Sequence, residues 1–541
     1  MMSAANEYDV VVAGTGGSGL CAALTASVLG SRVLIVEKAA VIGGTTALSG
    51  GGAWVPGSKY ASQLGATDSR DDVLTYIRAV SPEGWHNAED ARWVAFVDHA
   101  PLMLEFLEAH SPLVFGPNRD PDPYVEAPGG KAFGRMVSPR PLSKSILGSW
   151  KKLLRGPVYV PGLNYEELVE TSLNVMPLRW LARFAPRMIA RLATGKTTLG
   201  NALVVGLLKG CLRAGCDIWT ESPLTHLEQR DGRITAVHVQ RNNETQRLGV
   251  KKGVVLACGG FEWNEELMAK HFPGDFGWRG SPQTNTGDGH RLAVEVGAKL
   301  DRMDQALIYG TTPKRYEGVV RGVPASDYTL PHSMIVNARA ERFMNEKQMN
   351  IGLAFDERDA TTGAPVNLPA WRIYDAQFRK KYRHMLPKSG LGATRFEDRT
   401  LDGLATQIGL QPVALVEAAK RFSEFSRRGI DEDFGRGTSY WDRNRLGDPR
   451  QLPNPTLGSI EVPPFYAYPF KPSLLGTKGG PRTNERGQVT DENDEVIGGL
   501  YAAGNLMANP FGSKGVGAGS TIGPVLTWGH ICGLNVHAEQ D

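Results

Sequence analysis

Residues 8–38 read YDVVVAGTGGSGLCAALTASVLGSRVLIVEK, and their pattern decides the fold. The apolar run Val10–Ala13 passes into Gly14-x-Gly16-x-x-Gly19. An Ala/Leu-rich stretch with helical character follows, then a second apolar run, Val33–Val36, that ends in Glu37. Strand, glycine turn, helix and strand in that order make a βαβ unit whose helix N-terminus receives a pyrophosphate. Gly14 permits the tight turn, Gly16 lets backbone approach phosphate, and Gly19 lets helix and strand pack closely. Glu37 lies 18 positions beyond Gly19, the spacing of a carboxylate bound to the ribose of an adenine dinucleotide. Gly14, Gly16, Gly17, Ser18, Gly19, Glu37 and Lys38 are the candidate cofactor residues of this unit.

The next stretch separates FAD from NAD. VIGGTTALSGGG (41–52) follows the second strand where an NAD enzyme normally continues into a plain helix. Two more glycine-rich loops point to a larger cofactor, FAD, lying across the domain and met by backbone and hydroxyl donors. Gly43, Gly44, Thr45, Thr46, Ser49, Gly50, Gly51 and Gly52 join the candidates. So do Ala257 and Gly259 in GVVLACGG (253–260), and Gly504 and Asn505 in GLYAAGN (499–505). A last glycine-rich stretch, FGSKGVGAGSTIGPVLTWG (511–529), precedes an apolar run and adds Ser520, Thr521 and Ile522.

Composition bounds the rest. The chain has 541 residues, which calls for two or more domains. With 41% hydrophobic and 22% charged residues it reads as soluble and globular. A net charge of +3 gives no reason to expect nucleic acid, and no apolar run approaches the roughly 18 residues of a membrane span. The five cysteines (21, 211, 216, 258 and 532) show no metal-ligand spacing and read as reduced, buried thiols. A first strand this near the N-terminus leaves no room for a signal peptide, so a cytoplasmic location is expected. The 64 glycines are about 12% of the chain against a usual ~7%, and their clustering marks close backbone approaches to a ligand.

The motifs in combination resemble the flavoprotein superfamily of fumarate reductase and 3-ketosteroid dehydrogenase, the ketosteroid-dehydrogenase branch in particular. They are VVVAGTGGSG, GGTTALSGGGAWVP, YVEAPGGKAFGR, LRAGCDIWTES, GVVLACGGFEWN, NTGDGHRLAVEVGA, ERFMNE, PFYAYPFKPSLLGTKGG, GLYAAGN and GAGSTIGP. The resemblance implies an α/β fold. A Rossmann-like FAD-binding domain in two segments, 1–275 and 456–541, would carry an inserted α+β cap at 276–455. Succinate dehydrogenases of the superfamily attach the flavin to a histidine, and none lies in Ser49–Gly52, so FAD is expected to be non-covalent. The final glycine loop is expected to run under the flavin. A helix starting near Thr521 would aim its N–H groups at the ring, with glycines 515, 517 and 519 clearing it.

The chemistry implied is desaturation beside a ketone. A tyrosine and a backbone N–H polarise the carbonyl, a second tyrosine removes the α-proton, and the β-hydride goes to flavin N5. Carried onto this chain, the backbone donor is Gly519 and a pocket tyrosine is Tyr124. The carbonyl-binding position holds Gly515 and the proton-abstracting position Met349. Tyr309, Tyr328 and Tyr440 are candidates to supply a phenol from elsewhere, with His332 as an alternative base and Lys478 beside the flavin. The superfamily's dicarboxylate clamp is missing: Gly476 stands where it has histidine and Gly517 where it has arginine. The expected activity is oxidation of a 3-ketosteroid or smaller alicyclic ketone to the α,β-unsaturated ketone, with an external electron acceptor and no metal. The alternatives are an ene-reductase running in reverse and a non-catalytic flavin-binding protein. MPLRWLARFAPRMIARLATGK (176–196) places arginines at 179, 183, 187 and 191. It reads either as a solvated helix or as a basic amphipathic contact with a membrane surface.

Overall fold

Valines 10, 11 and 12 carry no exposed surface, and they form the centre of β1 (Glu7–Ala13) in a sheet covered on both faces, as parallel sheets require. In the computed structural model, which describes residues 7–540 apart from 171, 356, 387–393 and 446, β1 leads through Gly14–Gly16 into α1 (Gly17–Val28). The chain then enters β2 (Val33–Val36), parallel to β1 with Val10 opposite Val33 and Val12 opposite Ile35. A Cβ at Gly19 would stand 2.0 Å from the Gly14 carbonyl oxygen, so α1 can lie this close to its own turn only with glycine there.

A long excursion follows, carrying α2 (Pro177–Ala193) and α3 (Leu199–Arg213). The sheet resumes with β3 (Asp217–Trp219), parallel beside β2. The hairpin of β4 (Arg233–Arg241) and β5 (Glu244–Leu256) returns β5 parallel to β1, Val11 opposite Val254.

The inserted region has its own sheets and core. β6 (Ala306–Tyr309) precedes β7 (Ser333–Val336) and β8 (Ala370–Asp375), which pair antiparallel. Met334, Ile373, Leu415 and Phe422 form a separate apolar cluster beneath them. β9 (Phe465–Phe470) continues that sheet, Tyr374 opposite Tyr466. β10 (Ser473–Thr477) pairs with β6, Tyr309 opposite Ser473. β9 and β10, which lie beyond the boundary expected at 456, thus hydrogen-bond to strands of the inserted region. A strand's own sequence does not name its partner, so FYAYPF could not reveal which sheet it joins.

The chain rejoins the main sheet with β11 (Val496–Ala502), parallel beside β5. The parallel order is thus β11–β5–β1–β2–β3. The chain closes with α4 (Ile522–Ala538), laid across α1. Cβ atoms at Gly529 and Gly533 would stand 2.5 Å and 2.7 Å from the carbonyl oxygens of Ser18 and Ala22. The first and last segments therefore make one α/β layer, as expected. Cys21, Cys211, Cys216 and Cys532 are buried free thiols and Cys258 is half-buried.

Candidate active site

The carboxyl ends of β1, β2 and β5 open into a cavity of about 1030 Å³ whose lining divides into a polar, glycine-rich part and an aromatic part. Drug-sized ligands occupy roughly 300–1,000 Å³, so the space suits a large ligand.

In the polar part lie Gly14, Gly16, Gly17, Ser18, Glu37, Lys38, Gly44, Thr45, Thr46, Ser49, Gly50, Gly51 and Gly52. Ala257, Gly259, Asn505, Gly519, Ser520, Thr521 and Ile522 complete the set. The Glu37 carboxylate accepts from the Thr15 N–H at 3.1 Å, the Thr15 hydroxyl at 2.5 Å and the Ala39 N–H at 2.9 Å. Thr15, which the sequence reading passed over, thus orients the acid. Lys38 is held by Asp288 and by the Thr286 hydroxyl. Gly19, Gly43 and Gly504 sit behind the lining. Cβ atoms at 43 and 504 would stand 2.9 Å from the Ala47 Cβ and 2.5 Å from the Ser18 Oγ.

Three features fit FAD in this space. The N-terminus of α1 has no cap from its own N-cap residue, Gly16, which, apart from the Gly17 N–H taken by the Thr46 hydroxyl at 2.9 Å, leaves backbone donors for a pyrophosphate. The N-terminus of α4, at Thr521, is also uncapped and presents the positive end of its dipole to the cavity. The Asn505 Oδ1 is buried with no protein partner, a group that calls for a donor on the ligand.

The C-terminal loop differs in part from expectation. A Cβ at Gly517 would meet the Trp54 indole at 2.2 Å, and one at Gly519 the Gly52 carbonyl oxygen at 2.6 Å. The Trp54 N–H donates to the Gly519 carbonyl. The bareness of 517 and 519 therefore lets the loop press on the 52–54 segment, a protein contact that sequence could not show. A Cβ at Gly476 would stand 2.6 Å from the Asn505 Nδ2, so both places of the dicarboxylate clamp are filled by other side chains.

The aromatic part contains Tyr159, Tyr165, Tyr309, Tyr328, Lys347, Met349, Trp441 and Arg445. Tyr309, at the end of β6, points its hydroxyl to the Met349 Sδ at 3.2 Å. A Cβ at Gly515 would have Met349 Cγ among its nearest atoms, 4.0 Å away. The two positions where tyrosine was expected and absent are therefore neighbours, and the Tyr309 hydroxyl stands beside one of them. Burial pushes the Tyr309 phenol up to about 12, against a lowering influence of the Arg445 guanidinium. Tyr328 is also raised, chiefly by burial.

Other candidates are not brought to the lining. Tyr440 is 40% exposed on a short surface helix. Tyr124 reaches the Lys514 carbonyl at 3.4 Å, just outside the cavity wall. His332 is engaged by the Ser459 carbonyl and the Lys381 amine. Lys478 is buried and donates to the Gly512 carbonyl at 2.8 Å, its amine pushed down to about 8 by burial. Sequence reasoning missed Tyr159, Tyr165, Lys347 and Arg445. Arg445 is ion-paired to Asp120 at 2.9 Å, and Asp120 accepts from the Tyr165 hydroxyl at 2.6 Å. No motif links those three. Lys347 directly follows RFMNE and could have been found there; burial pushes its amine down to about 7.

A family model described as FAD binding domain matches residues 9–522. The 3-oxosteroid 1-dehydrogenase of Mycobacterium tuberculosis is 35% identical over 99% of each chain. The 4-oxocyclohexanecarboxylate 2-dehydrogenase of Sinomonas cyclohexanicum is 31% identical over 99% of this chain and 93% of its own. The crystal structure of 3-ketosteroid delta1-dehydrogenase from Sterolibacterium denitrificans, in complex with 1,4-androstadiene-3,17-dione, superposes with a TM-score of 0.89. It is 33% identical over 98% of this chain and 100% of that one. With cofactor cradle, inserted region and C-terminal loop all in place, the chain belongs to the 3-oxosteroid 1-dehydrogenase family of FAD-dependent oxidoreductases acting on CH–CH bonds.

Proposed function

We propose that this enzyme oxidises a 3-ketosteroid or related alicyclic ketone to the α,β-unsaturated ketone, with Tyr309 replacing the carbonyl-binding phenol absent at 515. The observation that carries this reading is the Tyr309 hydroxyl at 3.2 Å from the Met349 sulfur, in the aromatic part of the cavity. A phenol raised to about 12 is protonated at neutral pH, so Tyr309 acts as a hydrogen-bond donor to the ketone oxygen. The Gly519 N–H, which makes no hydrogen bond among the described residues, is the second donor. Two such donors lower the pKa of the α-hydrogen by stabilising enolate charge.

The α-proton is assigned to the amine of Lys347, which lines the cavity and donates one hydrogen to the Arg445 carbonyl; neutral above about pH 7, it keeps a lone pair for the proton without needing an ionised phenol. FAD bound here would supply the two-electron oxidant for the β-hydride, with an external acceptor to take up the electrons. The C=C bond forms as the proton and hydride leave adjacent carbons. FAD is held without a covalent bond, through the loops at 14–18 and 44–52. The ring substrate is supported by the apolar surroundings of Tyr309, namely Tyr328, Met349 and Trp441, and by the ketone substrates named for the relatives.

Anaerobic mixing with a 3-ketosteroid, and separately with 4-oxocyclohexanecarboxylate, should bleach the flavin. A flavin that stays oxidised with every saturated ketone, and responds only after chemical reduction and addition of an enone, would overturn the direction. Tyr309→Phe should keep the flavin spectrum and lose about 10²–10⁴ in kcat; unchanged turnover would remove Tyr309 from the site.

A further inference from the structure

Arg445 follows directly on the short helix Tyr440–Asn444 and lines the cavity with Tyr309, Tyr165 and Trp441. Its guanidinium lies 4.7 Å from the centre of the Trp441 ring, and its Nη1 stands 2.9 Å from the Asp120 Oδ1. The second oxygen of Asp120 accepts from the Tyr165 hydroxyl at 2.6 Å. A ring and a braced carboxylate therefore fix the fork in one orientation. Nη1 is nonetheless buried without an aligned hydrogen bond, and a buried donor in that state calls for an acceptor.

The charge around Arg445 is unbalanced in the same sense. Two acidic residues line this side of the cavity, and arginines behind the wall neutralise both: Arg372 pairs with Asp327, and Arg342 and Arg436 pair with Glu346. Lys314 and Lys347 also line the cavity, and their amines donate to the carbonyls of Val158 and Arg445, not to carboxylates. The aromatic part is thus electropositive. A cleft lined by one sign of charge concentrates ligands of the other sign, and an uncharged ring gains nothing from it.

We infer that Arg445 receives a carboxylate carried by the ketone substrate, so that the site selects alicyclic keto acids over uncharged ketones. A planar guanidinium holds a carboxylate through parallel N–H···O bonds that an ester or amide cannot match in charge. One fork serves one carboxylate, and the clamp for a second is missing, since positions 476 and 517 hold glycine. The inference rests on the ketone oxidation proposed above and names which ketones that site prefers. It is separable from that reaction, because binding of an acid without a ketone is measured without turnover.

The test titrates the FAD-loaded enzyme with cyclohexanecarboxylate and with cyclohexanecarboxamide, read by flavin absorbance and by melting temperature. The parent should bind the acid about 10–100-fold more tightly than the amide. Arg445→Gln should bring the two dissociation constants together, and Arg445→Lys, which keeps the charge, should retain part of the difference. Should Arg445→Gln fail to fold with Asp120 left unpaired, Arg445→Gln combined with Asp120→Asn removes both charges and gives the same readouts. In turnover, the ratio of kcat/KM for 4-oxocyclohexanecarboxylate over its methyl ester should fall by the same factor in the variant; a merely structural role would lower both and leave the ratio. A 3-oxosteroid bearing a side-chain carboxylate, and its methyl ester, make a second pair, and a preference confined to that pair places the carboxylate away from the ketone ring. Equal binding of acid and amide by the parent, or a preference that survives Arg445→Gln, would overturn the inference. Tight binding of the acid with no ketone oxidised would overturn the assigned reaction and leave the carboxylate site standing.

Discussion

Tyr309, Met349 and Gly515 illustrate what a single residue contributes here. The proposed reaction requires an uncharged donor near a ketone, and a phenol raised to about 12 by burial would supply it over the whole neutral range. Lys347 has the opposite task in the proposed reaction. Its folded value of about 7 lies below the 10.5 of an exposed lysine. Between those two values the unfolded chain carries the proton and the folded one does not, so stability rises with pH from about 7 towards 10.5. The cost of the buried charge is therefore greatest below pH 7. Lys347→Met should remove a penalty of order 2–5 kcal/mol at pH 6 and very little of it at pH 10, read as thermal unfolding at the two values. The same variant should lower kcat/KM and flatten the rise in activity through pH 7. A rise that survives in Lys347→Met assigns the proton to another group.

At the level of elements, the glycines that matter are those at which two backbones meet. Gly19→Ala puts a methyl group 2.0 Å from the Gly14 oxygen. α1 must then move off β1, at a cost of about 1–3 kcal/mol or more. The loop that receives the cofactor moves with it, so purified Gly19→Ala should carry substoichiometric FAD, measured by absorbance ratio. Gly517→Arg tests the absent dicarboxylate clamp. Its side chain would begin 2.2 Å from the Trp54 indole, so the variant should lose stability and gain no fumarate reduction. The starts of α1 and α4 both open on the cavity; the positive ends of their dipoles are the elements' contribution to binding an anionic cofactor.

Across the whole molecule, the first and last segments close on one cavity whose aromatic lining comes from the inserted region, with Tyr309, Tyr328 and Trp441, and from the first segment, with Tyr159 and Tyr165. A ligand held by both ends stabilises the assembly by mass action, and free FAD at 100 times its Kd adds about 2.7 kcal/mol. Apoprotein titrated with FAD should therefore show a melting temperature that climbs with cofactor concentration. A melting temperature indifferent to FAD would contradict a cofactor bridging residues 14–18 and 519–522.

The βαβ unit was legible because its demands are local. Gly14, Gly16, Gly19 and Glu37 lie within a few turns of chain, and each answers to backbone geometry or to one ligand atom. The same holds for the helix expected near Thr521, which starts at Ile522. The partner of FYAYPF was not legible, since sheet membership is set by strands far away in sequence. Nor was the role of Gly517, whose neighbour Trp54 lies more than four hundred positions earlier. By itself the sequence determined the dinucleotide fold, the flavin cofactor and the loss of two expected tyrosines. The tertiary structure alone decided that Tyr309 stands where they are missing. Positions 309, 349 and 515 meet only because β6 pairs with β10 and the C-terminal loop folds against the 52–54 segment. Such long-range closure leaves no local periodicity or spacing to read.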